Sequence, residues 1–202
     1  MRTLKIYPSS INEKYIDLLV ETLRNGGLII YPTDSFYAIG CDALCNRAVE
    51  KICVLKGINP QKNTLSVVCD SLSQAAAYAR INNEAYSILR RNLPGPFTFI
   101  LPAATTLPKV FKGRKQVGVR VPDNAIARRL AEALGNPLLS TTLSHDGEHP
   151  VTPEEIAMEY ENSEISLMVD GGEAPDSPTT VVDLTDSAEP VILREGKGEL
   201  EP

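Results

Sequence analysis

The sequence lacks what a membrane or secreted protein would show. No apolar run approaches the roughly 18–20 residues of a spanning helix, so no transmembrane segment is expected. Met1-Arg2-Thr3-Leu4-Lys5 is too weakly apolar for the core of a secretory signal. Cysteine is sparse: four in 202 residues do not make a disulfide framework. A reducing cytoplasm is the expected location.

The common catalytic and phosphate-binding signatures are missing as well. Neither G-x-x-x-x-G-K-[ST] nor G-x-G-x-x-G occurs, and Gly196-Lys197-Gly198 lacks the upstream glycine. Any nucleotide would therefore be held by side chains and ordinary loops. There is no G-x-S-x-G elbow, and the two histidines share one loop, which argues against a Ser-His-Asp hydrolase. Cys41-x₃-Cys45 and His145-x₃-His149 each have metal-ligand spacing, but about a hundred residues separate the pairs. Cys45, Cys53 and Cys69 sit in apolar contexts and read as core residues. No metal held by the protein is expected.

What is present is an uneven charge. The whole chain carries −6. Residues 1–142 hold 18 Lys/Arg and 10 Asp/Glu, whereas residues 143–202 hold 2 and 16. A pooled value thus hides a basic body and an acidic end. The densest basic stretch comprises Lys109, Lys112, Arg114 and Lys115, with Arg120 beyond, and no carboxylate lies among them. It reads either as a solvated loop or as a rim that attracts RNA or another polyanion.

The periodicity predicts an α/β open sheet of mixed direction. Ile16, Leu19, Val20 and Leu23 mark a helix over 13–25, closed by Gly26-Gly27. A buried strand follows at 28–31. Helices are predicted at 46–56 with Asn46 as cap, 71–79, 83–92, and 125–134 with Asp123 as cap and Gly135 closing it. Thr152-Pro153-Glu154-Glu155 is a capping box that starts another. Strands are predicted at 64–68, 97–101, 117–121, 138–141, 167–169, 180–184 and 191–194. One domain spans 1–202, with 197–202 a loose tail.

Polar residues gather at strand ends, where open α/β sheets bind ligands. They are Thr33 and Asp34, Lys56 at a helix end, Arg120, Ser140 to Thr142, Thr179 and Thr180, and Arg194. Arg120 lies on an apolar strand, where an unpaired charge is costly. It must meet either a carboxylate of the protein or an anionic group of a ligand.

Taken together, several stretches resemble the YrdC/YciO family. They are Tyr31-Pro32-Thr33-Asp34-Ser35-Phe36-Tyr37, the Lys56 region, Pro94-Gly95-Pro96-Phe97-Thr98-Phe99, and Val117-Gly118-Val119-Arg120-Val121-Pro122. Pro137-Leu138-Leu139-Ser140-Thr141-Thr142, Pro178-Thr179-Thr180-Val181-Val182-Asp183 and Arg194-Glu195-Gly196 continue the family order, so that residues 12–198 are covered. The resemblance implies a twisted mixed sheet with a concave basic cleft. The synthase branch of the family joins L-threonine, bicarbonate and ATP, with Mg²⁺, into threonylcarbamoyl-adenylate for tRNA modification. Members have also been described as binding double-stranded RNA and tRNA. By position, Thr33, Arg120 and Thr179 would hold the amino acid. Lys56, Thr142, Ser144 and Arg194 would contact the nucleotide. No tightly bound cofactor is implied, and the oligomeric state is left open.

Two departures bear on activity. Where the synthase carries Lys-x-Arg, this chain reads Lys56-Gly57-Ile58. Where the synthase carries Ser-x-Asn, it reads Thr142-Leu143-Ser144. A donor is replaced by an aliphatic side chain and an amide by a short hydroxyl. These are features of the YciO-like branch. The sequence therefore supports a nucleotide- or RNA-binding protein first and an active threonylcarbamoyl-adenylate synthase as the alternative.

Overall fold

The computed structural model describes residues 1–59, 66–104, 113–143 and 152–201. Among these, ten strands form one sheet in the order β1-β8-β2-β3-β7-β4-β6-β5-β9-β10. The strands are β1 Arg2–Lys5, β2 Ile29–Tyr31, β3 Ala38–Asp42, β4 Ser66–Val68 and β5 Phe97–Pro102. They continue with β6 Gln116–Arg120, β7 Leu138–Thr142, β8 Leu167–Asp170, β9 Thr180–Asp183 and β10 Val191–Arg194. Pairing is mixed: β4 runs parallel to β6 but antiparallel to β7, and β5 runs antiparallel to β6 but parallel to β9. Six helices intervene: α1 Glu13–Arg24, α2 Asn46–Leu55, α3 Leu72–Ala76, α4 Asn83–Asn92, α5 Ala125–Leu134 and α6 Pro153–Glu159. None among the described residues is long and apolar enough to cross a membrane.

Alternation along the strands sorts side chains onto two faces. Ile39, Val67, Phe99, Val119, Leu139 and Val182 pack with residues of α2, α3, α4 and α6. Ile29, Tyr31, Ala38, Val68 and Leu138 pack on the other face with Ile16, Leu19 and Leu23 of α1 and Ile126, Leu130 and Leu134 of α5. Those two helices cover only part of that second face. Along β7, Leu138 belongs to the core beneath α5, whereas Ser140 and Thr142 line an open cleft. The cleft is the uncovered remainder of the sheet.

Several local expectations are corrected. Asn124, not Asp123, caps α5, accepting from Ile126 N and Ala127 N at 3.1 Å each. Asp123 instead gives its backbone N–H to Asp34. Asn46 is the first residue of α2, and Cys45 takes the cap position without a side-chain hydrogen bond. The helix predicted over 71–79 is confined to Leu72–Ala76. The capping box at Thr152 and Glu155 forms in both directions. Gly26 and Gly135 take left-handed conformations at the ends of α1 and α5. The segment read as a loose tail is tied to the body: Thr180 Oγ1 donates to Gly198 O at 2.7 Å, and Glu201 N donates to Asn92 Oδ1 at 2.9 Å. Residues 64–65 of the predicted strand lie outside the described residues.

Candidate functional site

The cleft has a volume of about 280 Å³ and is floored by β4, β5, β6, β7 and β9. Its polar lining follows from strand alternation: Ser66 on β4, Thr98 on β5, Arg120 on β6, Ser140 and Thr142 on β7. Thr179 and Arg194 close one side, and Ile58, Ile100 and Val181 add an apolar strip.

Two glycines make room for this lining. Gly40 pairs with both Ile29 and Ser140. A Cβ there would come 2.6 Å from Tyr31 Cε1. With only hydrogen in the way, the Tyr31 ring crosses β3 and its hydroxyl donates to Ser140 Oγ at 2.8 Å. Burial pushes the Tyr31 phenol up to about 12. Likewise Gly118 pairs with Ser66, and a Cβ would fall 2.4 Å from Ser66 Oγ.

Arg120 meets a carboxylate of the protein, which settles the choice its position posed. Its Nη2 donates to Asp34 Oδ1 at 2.9 Å, to Ser35 Oγ at 3.0 Å and to Thr33 Oγ1 at 3.3 Å. Both members of the ion pair are buried, with side chains 8% and 6% exposed. Asp34 Oδ2 accepts from Asp123 N at 2.8 Å, and Asn124 Nδ2 donates to Thr33 O. The Thr33–Ser35 loop is thus pinned by β6 and by the start of α5. Thr33 is buried, and its hydroxyl donates to Phe36 O at 2.7 Å. Arg120 Nε, also buried, has no hydrogen-bond partner among the described residues.

Arg194 lies beside this group. Its Nε and Nη2 donate to Thr179 O at 3.2 and 2.8 Å, and Nη2 also reaches Thr179 Oγ1 at 3.1 Å. Thr179 Oγ1 in turn shares a hydrogen bond with Thr98 at 2.9 Å. Burial and then the neighbouring Arg120 cation hold Arg194 below the usual arginine range. Two guanidinium groups face the same cleft, and among the described residues the one carboxylate bonded to either, Asp34, is already used by Arg120. Gly196 packs its Cα against Pro178 and Thr179, where a Cβ would come within 2.4 Å of backbone. That contact lets Lys197 N reach Pro178 O at 2.9 Å and Lys197 Nζ reach Asp34 O at 3.4 Å.

Of the residues singled out in sequence, Thr33 is bonded to Arg120 and Thr179 to Arg194; Arg120, Thr142, Thr179 and Arg194 line the cleft, whereas Thr33 is not among its lining residues. Lys56 caps the C-terminal end of α2, where burial lowers its pKa and Glu159 opposes the shift. It is not among the residues lining the cleft, whereas Ile58 is. Arg114 is half-buried beside Cys53 of α2, and Lys115 is exposed just before β6. Lys109, Lys112, Ser144, His145 and His149 lie outside the described residues. Burial pushes the Cys41 and Cys69 thiols up, as befits core residues. Sequence reading missed that Asp34 is the partner of Arg120 and that Lys197 touches the same loop. Asp34 is adjacent to Thr33 in the sequence, but 86 residues separate it from Arg120.

Comparison with known proteins bears on this site. A model of the Sua5/YciO/YrdC family, described as telomere recombination, matches residues 21–196. A Haemophilus influenzae protein is 43% identical over 202 residues, covering 98% of this chain and 96% of that protein. Escherichia coli YciO is 40% identical over 201 residues, covering 98% of this chain and 96% of that protein. The crystal structure of E. coli YciO has a TM-score of 0.90 with 39% identity and covers 98% of each chain. The threonylcarbamoyl-AMP synthase of Pyrococcus abyssi is 34% identical over 195 residues, which make up 95% of this chain but 56% of the synthase. The crystal structure of P. abyssi Sua5 complexed with L-threonine has a TM-score of 0.87 with 31% identity, covering 97% of this chain and 58% of that one.

Proposed function

The chain belongs to the Sua5/YciO/YrdC family, and on that premise we propose that it is a YciO-like binding protein whose cleft takes a nucleotide, free or as part of tRNA or double-stranded RNA. The observation that carries this reading is that Arg194 faces the same cleft as Arg120 and feels its charge. Two cations share a small polar cleft, and among the described residues Arg194 is bonded only to uncharged oxygens of Thr179. An anion placed there would relieve their repulsion and satisfy the orphaned Nε of Arg120. The hydroxyls of Ser66, Ser140 and Thr142 offer further donors to phosphate or sugar oxygens. Ile58 supports binding without efficient synthesis, because an aliphatic side chain faces the cleft where the synthase motif has arginine. A role in tRNA modification or translation, in the cytoplasm, fits this chemistry. Calorimetric titration with ATP, followed by assay of pyrophosphate release with bicarbonate and L-threonine, tests it. Binding with little or no pyrophosphate is the expected result.

A second reading is favoured by a specific group. Arg120 and Thr179 line the cleft and Thr33 is bonded to Arg120, which is compatible with an amino-acid carboxylate held there, and a relative of 31% identity was crystallised with L-threonine. Under that reading the protein is a threonylcarbamoyl-AMP synthase, and pyrophosphate appears at the rate of the P. abyssi enzyme assayed alongside.

A further inference from the structure

The chain beyond β10 returns over the segment that carries Thr179. Gly196 makes this possible, because its Cα lies on the Pro178–Thr179 backbone. Lys197 N then donates to Pro178 O at 2.9 Å, Thr180 Oγ1 donates to Gly198 O at 2.7 Å, and Gly198 lies against the Phe97 ring. Farther on, Asn92 holds Glu201 by two hydrogen bonds, from Nδ2 to its O at 2.7 Å and from its N to Oδ1 at 2.9 Å. The backbone of residue 197 is thus fixed on both sides, while its side chain is exposed. That side chain spans from Thr179 to the Thr33–Ser35 loop, where Nζ donates to Asp34 O at 3.4 Å. Three cations therefore meet here: Arg120 on the loop, Arg194 on Thr179, and Lys197 bridging the two.

Their charges are not balanced. Asp34 pairs with Arg120. Among the described residues neither Arg194 nor Lys197 forms an ion pair. The bond that Lys197 makes is long and runs to a neutral carbonyl. A phosphate oxygen is a stronger acceptor for an ammonium, because both partners then carry charge. Moving Nζ off the carbonyl costs little, since the side chain is exposed and its four-carbon stem is flexible. We propose that Lys197 is a further phosphate-binding residue of the cleft: Arg120 and Arg194 hold the first phosphate of a nucleotide, and Lys197 leaves Asp34 O to hold the outer ones. Lys197 stands outside the cleft lining, and the outer phosphates of a ligand anchored on Arg120 and Arg194 reach past that lining to it. The two unmatched cations then select a nucleoside di- or triphosphate over a monophosphate. This inference rests on the free-nucleotide form of the reading above and assigns that site its ligand class.

Calorimetric titration of ATP, ADP and AMP into wild type, Lys197→Met and Lys197→Arg tests it, with thermal melting of each protein as the check on folding. Melting should be unchanged, because the side chain is exposed and the backbone bond of residue 197 remains. Wild type should bind ATP and ADP more tightly than AMP. Lys197→Met should bind ATP about tenfold more weakly and AMP as wild type does, and Lys197→Arg should keep most of the ATP affinity. Equal losses for ATP and AMP would make Lys197 a latch on the Asp34 loop and overturn the proposal. An unchanged ATP affinity in Lys197→Met overturns it too. Both of those results leave nucleotide binding by the wild type standing. If the wild type binds none of the three, the nucleotide reading itself fails and this proposal falls with it.

Discussion

The carboxylate of Asp34 joins β6 to the start of α5: Oδ1 accepts from Arg120 at 2.9 Å, and Oδ2 accepts from the backbone N–H of Asp123 at 2.8 Å. The pair is buried, so neither charge is free to rejoin water if its partner is removed. Arg120→Ala should therefore cost about 3–5 kcal/mol of stability. Urea denaturation measures it. Adding Asp34→Asn to Arg120→Ala should recover part of the loss, because a neutral amide is less costly to bury. A loss below about 1 kcal/mol would mean that the pair behaves as an exposed one.

Gly40→Ala puts a methyl group into the path of the Tyr31 ring, at 2.6 Å from Cε1. The ring is fully buried and cannot yield cheaply. The expected cost is about 1–3 kcal/mol, with displacement of Ser140 and weaker ligand binding. Tyr31→Phe removes only the hydrogen bond to Ser140 and should cost about 0.5–1.5 kcal/mol. Thermal melting of both variants separates the steric from the polar contribution.

Tyr31, Tyr37 and Tyr160 are each pushed up to about 12, burial being the largest cause in every case. In the unfolded chain they titrate near 10. Below pH 10 the phenols are neutral in both states and the folded form keeps its full stability. Between pH 10 and 12 the unfolded chain loses protons that the folded one retains, so stability falls as pH rises. Ultraviolet titration should show these three ionising later than a free phenol, above pH 10. Ionisation of Tyr31, Tyr37 and Tyr160 near pH 10, with the fold intact, would contradict the burial.

Much of this architecture was legible in the sequence, and the parts that were not have physical reasons. α1 announced itself because Ile16, Leu19, Val20 and Leu23 repeat at helical spacing and face one core. β3 did not, because all of Ala38–Asp42 is buried and a strand covered on both faces shows no alternation. β1 has a single buried residue, Leu4, among charged and polar neighbours that protect a sheet edge. The cleft residues could be named from strand ends, yet their wiring could not. Nothing in one dimension distinguishes Asp34 from other carboxylates as the partner of Arg120, or sets Ile58 rather than Lys56 on the cleft wall.

Ile58 gives a direct handle on activity. Ile58→Arg places a third guanidinium at the cleft, and Ser144→Asn adds an amide in the stretch following β7. The double variant should release pyrophosphate from ATP, bicarbonate and L-threonine faster than wild type, since one charge-stabilising donor typically contributes on the order of 10²–10³ in rate. An unchanged rate would show that the missing motif is not what limits synthesis.

The most direct test of the central claim is calorimetric titration of ATP into wild type and into Arg194→Ala. Arg194 is partly exposed and among the described residues its bonds run to Thr179 alone, so the variant should stay folded. If the cleft binds nucleotide through its two guanidinium groups, the variant should bind roughly 10- to 150-fold more weakly, as expected for loss of a charged hydrogen bond of about 1.5–3 kcal/mol. Equal affinity in the two proteins, or no heat with wild type at any ATP concentration, would contradict the account.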